Sequence, residues 1–156
     1  MEHNFINKIT EKVYLGCVEG AKDEEFLKKE GVTNILTCLN TANDHKVISI
    51  EQKVIEIFDE ETAKIKKYFK EAFSYIENAS GKVYVHCWAG VSRSATIVIA
   101  YLMWKNKLSF NEAYWSVKNK RKFISPNEGF VKQLKEFEMI LKENRWNYDN
   151  IDLENF

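Results

Sequence analysis

The chain has 156 residues, enough for one domain around a single core. It is 45% hydrophobic and 29% charged, the composition of an ordinary soluble globular protein, and its 23 basic residues balance 23 acidic ones. With a net charge of zero, nothing suggests nucleic acid or an anionic membrane as a bulk electrostatic partner. Met1-Glu2-His3-Asn4-Phe5 lacks the basic-then-apolar pattern of a signal peptide. Glu2 stands where myristoylation needs glycine, and no cysteine lies near the C-terminus for prenylation, so no membrane anchor is expected.

The opening segment reads as two strands, Asn4-Phe5-Ile6 and Lys12 to Gly16, around a turn at Thr10-Glu11. Asp23 to Glu30 reads as a short helix closed by Gly31 at the C′ position. Thr33 to Leu39 is rich in β-formers and reads as a buried strand; Asn40 to Lys46 is polar and reads as a loop. Lys53 to Phe58 is a further strand, running directly into Asp59-Glu60-Glu61-Thr62. From Ala63 to Ala79, Ile65, Phe69, Ala72, Phe73 and Ile76 recur at three and four, which predicts an amphipathic helix stopped by Ser80-Gly81.

The strand Lys82 to His86 then feeds Cys87-Trp88-Ala89-Gly90-Val91-Ser92-Arg93-Ser94. An apolar run, Ala95 to Trp104 broken only by Thr96, follows; it is too short to span a bilayer and reads as a buried central helix. This order sets one thiol at the floor of a loop whose backbone N–H groups precede a helix N-terminus, a cradle for an anion such as phosphate. The helix end and a nearby guanidinium favour the thiolate. Arg93 can fold back and grip two phosphate oxygens with its planar fork, which lysine could not do. Gly90 sits where the turn needs positive φ or close approach to a ligand. Ser94 is placed to donate a hydrogen bond to the sulfur.

Ser109-Phe110-Asn111-Glu112 is a capping box opening a helix. Ser125-Pro126-Asn127-Glu128 reads as a second, with the only proline at N1, ahead of a last helix carrying Phe130, Leu134, Phe137 and Ile140 on one face. The expected fold is α/β: a small mixed, mostly parallel sheet flanked by helices on both sides. One domain spans residues 1–143. The tail 144–156 mixes Trp146, Tyr148, Ile151, Leu153 and Phe156 with acids, and either packs back or serves as a partner motif.

His86-Cys87-x-x-Gly90-x-x-Arg93-Ser94, with Ala95-Thr96 after it, resembles the signature loop of the cysteine-dependent protein tyrosine phosphatases, in its dual-specificity form. Tyr14-Leu15-Gly16, Pro126-Asn127-x-Gly129-Phe130 and Gln133-Leu134 extend the resemblance, in order, from about Lys12 to Leu141. It implies that Cys87 is the nucleophile and that Arg93 and the amides of Trp88, Ala89, Gly90, Val91 and Ser92 hold the phosphate. It also implies a general acid on an upstream loop between a strand and a helix. Asp59, 28 residues before Cys87, has that context. The same acidic cluster would also serve simply as a helix start, and Glu60 is the alternative acid. His86 reads as a structural group that orients the loop. Trp88 either walls the pocket or faces the core. Asn127 either supports the loop or only starts its helix.

The three cysteines, Cys17, Cys38 and Cys87, are scattered and odd in number, which argues for a reducing compartment, the cytoplasm and also the nucleus. Cys17 and Cys38 read as core residues. His3, His45 and His86 are far apart and no Cys-x-x-Cys occurs, so neither a metal nor another cofactor is expected; His3 and His45 read as surface residues. The resulting expectation is a dual-specificity protein phosphatase working through a phosphocysteine on phosphotyrosine and phosphoserine/phosphothreonine of a protein substrate, without nucleic acid; the oligomeric state stays open. The rivals are a phosphoinositide or RNA phosphatase of the same mechanism, a phosphate-reading binding module, and a sulfur-transfer enzyme.

Overall fold

The computed structural model describes residues 4–41, 49–149 and 151–153. Among the described residues five strands, β1 (Ile6–Lys8), β2 (Val13–Gly16), β3 (Val32–Leu39), β4 (Glu51–Glu56) and β5 (Lys82–His86), form one sheet in the order β1-β2-β5-β3-β4. The β1–β2 pair is antiparallel; β2–β5, β5–β3 and β3–β4 are parallel. β5, last in sequence, therefore occupies the centre. The carboxyl ends of four parallel strands open on one edge of the sheet, where α/β folds place their ligands.

Helices α1 (Val18–Ala21) and α2 (Glu24–Lys29) lie on one face, where Ala21 and Leu27 pack with Tyr14, Ile35 and Tyr84. On the other face lie α3 (Phe69–Asn78), α4 (Arg93–Lys105), α5 (Phe110–Lys120) and α6 (Glu128–Glu143). Strand alternation makes this division: Leu15, Leu36, Val83 and Val85 face α4 while Tyr14, Ile35 and Tyr84 face away. α4 is buried along almost its whole length, which explains its unbroken apolar sequence.

Several expectations need correction. The first strand lies at Ile6–Lys8, not Asn4-Phe5-Ile6, and the strand expected over Lys53 to Phe58 starts at Glu51 and ends at Glu56. α1 was not foreseen: four residues are too few to show a period. The helix expected from Ala63 starts as α-helix only at Phe69, after a 3₁₀ turn at Lys66–Tyr68. The Gln133 side chain accepts the Lys66 N–H at 3.0 Å and donates to the Ala63 carbonyl at 2.9 Å, so α6 holds this segment in place of intrahelical bonds. The second capping box is absent. Asn127, not Ser125, caps α6, its Oδ1 accepting the Phe130 N–H at 2.8 Å, and Pro126 lies before the cap. The Ser125 amide instead donates to the Val91 carbonyl, at 2.8 Å. The loop at 40–46 lies outside the described residues except for Asn40 and Thr41, as do His3 and His45. In the tail, Ile151 and Leu153 are buried in the core and Trp146 and Tyr148 pack against it.

Candidate active site

Cys87 follows the last residue of β5 and is 2% exposed. Its Sγ lies 3.0 Å from Ser94 Oγ, in the first turn of α4. Between them the loop turns back on itself at Gly90, whose φ is +69°. A Cβ there would stand 2.6 Å from Arg121 Nη2 and 2.6 Å from the Gly16 carbonyl oxygen, so glycine is required by both conformation and space.

The carbonyls of this loop are all engaged from outside it. Cys87 O meets His86 Nδ1 at 3.1 Å, and Trp88 O accepts the Val18 N–H at 3.0 Å. Arg121 takes Ala89 O through Nη2 and Gly90 O through Nε. Val91 O accepts from Ser125, and Ser92 O accepts both the amide and the hydroxyl of Thr96. With each carbonyl pinned outward, the amides of Ala89 to Arg93 have no acceptor among the described residues. They precede or open the N-terminus of α4, a position that favours anions.

Arg93 lies at the first position of α4 and is 9% exposed. Nη1 donates to the Ile57 carbonyl at 3.0 Å, just past β4, while the buried Nε has no acceptor among the described residues. A guanidinium held by one arm with Nε unsatisfied beside an amide cradle fits an anion with two oxygens to offer.

Asp59 lies two residues beyond that anchor and is exposed. Its Oδ1 accepts the Asn127 Nδ2–H at 2.9 Å. The Asn127 amide in turn donates to Ser92 Oγ at 3.0 Å, so one residue ties the acidic segment, the N-terminus of α6 and the loop together. Gly129 allows this approach: a Cβ would fall 1.9 Å from the Glu61 carbonyl. Asn127 thus caps α6 and is bonded to both Ser92 and Asp59. Trp88 is 61% exposed and walls a cavity of about 430 Å³ beside the loop, together with Phe5, Cys17, Ala89 and Phe123.

His86 is fully buried and stacks on Tyr84, with ring centroids 5.4 Å apart. A carbonyl only accepts, so Nδ1 carries the proton given to Cys87 O. In the neutral ring Nε2 then accepts from the Thr37 hydroxyl at 2.9 Å, and Thr37 Oγ1 accepts from Gln52 Nε2 at 2.6 Å. The relay runs from β4 through β3 and β5 to the start of the loop. Thr37, Gln52 and Arg121 carry no sequence signal of this role. Arg121 is 2% exposed, with further bonds to Asn4 O and Asn7 Oδ1; burial pulls its ionisation below the ordinary arginine range. Among the described residues no cluster of side chains could hold a metal ion, and no helix is long and apolar enough to cross a membrane.

A loop with unbonded amides, a thiol at its start and a guanidinium at its end, at the carboxyl edge of a mostly parallel sheet, describes a phosphate-ester-handling domain. The family model of the dual specificity phosphatase catalytic domain matches residues 13–140, and the chain belongs to that family of protein phosphatases. A probable dual specificity protein phosphatase of Dictyostelium discoideum is 39% identical over 153 residues, covering 97% of this chain and 39% of that protein. Dual specificity protein phosphatase 1 of Arabidopsis thaliana is 38% identical over 144 residues, 90% of this chain and 73% of the relative. The crystal structure of human tyrosine phosphatase-like serine/threonine/tyrosine-interacting protein superposes with a TM-score of 0.83 at 33% identity, covering 90% of this chain and 99% of that one. The chain thus spans well under half the length of its Dictyostelium relative.

Proposed function

We propose that this domain hydrolyses phosphotyrosine and phosphoserine/phosphothreonine esters of protein substrates through a phosphocysteine on Cys87. The observation that carries this reading is the loop itself. Its carbonyls are taken by Arg121 and other neighbours, the amides of Ala89 to Arg93 have no acceptor among the described residues, and the buried Arg93 Nε has none either.

In the first step Cys87 Sγ attacks phosphorus as the ester P–O bond breaks, and Asp59 gives its proton to the departing oxygen. The loop amides and Arg93 hold the three non-bridging oxygens, where charge accumulates. In the second step Asp59 takes a proton from water, the water oxygen attacks phosphorus, and the S–P bond breaks. Ser94 hydrogen-bonds the sulfur as it leaves, from the position it already holds at 3.0 Å. Asn127, whose own amide is bonded to Ser92, hydrogen-bonds the Asp59 carboxyl, which supports Asp59 in this role.

Aryl phosphates of graded leaving-group acidity test these roles. Cys87→Ser should abolish turnover while inorganic phosphate still binds. Asp59→Asn should lose most on phenyl phosphate and little on an aryl phosphate whose leaving group needs no proton. Equal losses across the series for Asp59→Asn, with a steepened slope for Glu60→Gln, would move the acid to Glu60.

A further inference from the structure

Arg121 is 2% exposed, and every group it hydrogen-bonds is neutral. Nε donates to Gly90 O at 2.9 Å and Nη2 to Ala89 O at 3.2 Å, while Nη1 donates to Asn4 O at 2.9 Å and to Asn7 Oδ1 at 2.8 Å. No carboxylate lies within ion-pair distance of it among the described residues. The groups that offset the effect of burial on its charge are Tyr84, Cys17 and Cys87, none of them a carboxylate. Arg93 shares this condition: its guanidinium bonds the Ile57 carbonyl and no acid. The Asp59 carboxyl is bonded to Asn127 and to neither arginine. Two guanidinium charges therefore bear on one loop with no carboxylate to balance them. A buried cation without a counter-charge is costly, and a fold that keeps one leaves a place for an anion.

The peptide groups carry the effect of Arg121 across the loop. No peptide among the described residues is cis. In a trans peptide the carbonyl and the N–H that follows it point in opposite directions. Arg121 bonds the carbonyls of Ala89 and Gly90, so the N–H groups of Gly90 and Val91, on those same two peptides, point away from it. Neither has an acceptor among the described residues. A carbonyl held by a cation polarises its peptide and makes that N–H a stronger donor.

We propose that Arg121 is a positioning residue that makes this loop selective for a dianion: it orients the Gly90 and Val91 amides through the carbonyls of their own peptides, and its unbalanced charge is answered by the second negative charge of a phosphate monoester. This rests on the reading of the loop as the phosphate site. A monoester carries a charge of about −1.5 to −2 at neutral pH. A diester carries only one negative charge and gains correspondingly less from Arg121. The rival role is that of a strut, which ties Asn4 and Asn7 to the loop and does nothing for the guest.

Tungstate and perrhenate separate the two roles, because they are tetrahedral oxyanions of nearly the same size that differ by one charge. Their dissociation constants are measured calorimetrically near neutral pH for wild type, Arg121→Gln and Arg121→Lys, each first checked for a cooperative melt. Wild type should bind tungstate far more tightly than perrhenate. Coulomb energy scales with the charge of the guest, so Arg121→Gln should lose about a hundredfold on tungstate and about tenfold on perrhenate. Arg121→Lys keeps the charge and loses the two-pronged grip on the carbonyls. It should weaken both anions by a similar, smaller factor and retain the preference of wild type. Equal losses on the two anions in Arg121→Gln would overturn the proposal and leave Arg121 as a strut. A wild type that binds the two anions alike would also overturn it, and that measurement needs no variant to fold. Absence of p-nitrophenyl phosphate turnover in a wild type that prefers tungstate would instead overturn the phosphatase reading and leave the role of Arg121 standing.

Discussion

Arg121 lies far from the phosphate loop in sequence, yet two of the loop's carbonyls depend on it. Gly90 is pressed against both Arg121 and Gly16. Gly90→Ala should therefore cost about 1–2 kcal/mol for the left-handed backbone alone. The clash adds to this and shifts the loop. The expected outcome is a lower melting temperature together with a fall in kcat, since a misplaced amide weakens the transition state more than the ground state. A variant that lost stability but kept kcat would show that the loop tolerates the shift. At this scale the sequence is legible where chemistry and spacing fall within one short segment: Cys87, Gly90, Arg93 and Ser94 span the loop and the first turn of α4. Arg121, Thr37 and Gln52 reach the site through strand register and chain crossings, which no local pattern encodes.

Between elements, Glu77 links α3 to α4. Partial burial disfavours its charge, but hydrogen bonds from the Tyr101 hydroxyl at 2.6 Å and Lys105 at 3.0 Å outweigh this and hold it below its ordinary value of 4.5. A carboxyl depressed by folding contributes stability that is complete above the unfolded value and disappears as pH falls through the folded one. Denaturant melts should show wild type losing stability faster than Glu77→Gln as pH drops below 4.5. Parallel curves would mean that the contact carries no net energy. The helices themselves follow their sequence signals where caps are local: Ser109 and Glu112 form the expected reciprocal box. The signal failed at Ser125 because two amides of that stretch, those of Ser125 and Asn127, are bonded to the phosphate loop. Tertiary contacts therefore moved the cap to Asn127.

For the molecule as a whole, the tail closes the core. Arg145 and Trp146 adopt φ of +54° and +67° and reverse the chain after α6. Tyr148 then meets Trp104 edge-on at 4.9 Å and Phe73 at 5.7 Å, and the Ile151 carbonyl receives Lys70. A chain ending at Asn144 exposes the sites of Ile151 and Leu153, each about 1.5–3 kcal/mol of burial at full value. It should melt several degrees lower and keep its turnover of small aryl phosphates, because none of these contacts touches the loop. An unchanged melting temperature would make the tail an appendage. The mixed, mostly parallel sheet was readable from alternating strands and helical periods. The insertion of β5 between β2 and β3 was not, since strand order is fixed by which faces the helices cover.

The outward-tied carbonyls have one more consequence. A cradle fixed by folding needs no rearrangement to accept its guest, and it grips only the non-bridging oxygens. Free inorganic phosphate presents the same oxygens as the ester does. Product inhibition is therefore built into the loop: added phosphate should raise the apparent KM in proportion to its concentration, leave kcat untouched, and raise the melting temperature with the same dissociation constant. Selectivity for an ester over its own product has to come from contacts outside the cradle, to the part of the ester that phosphate lacks.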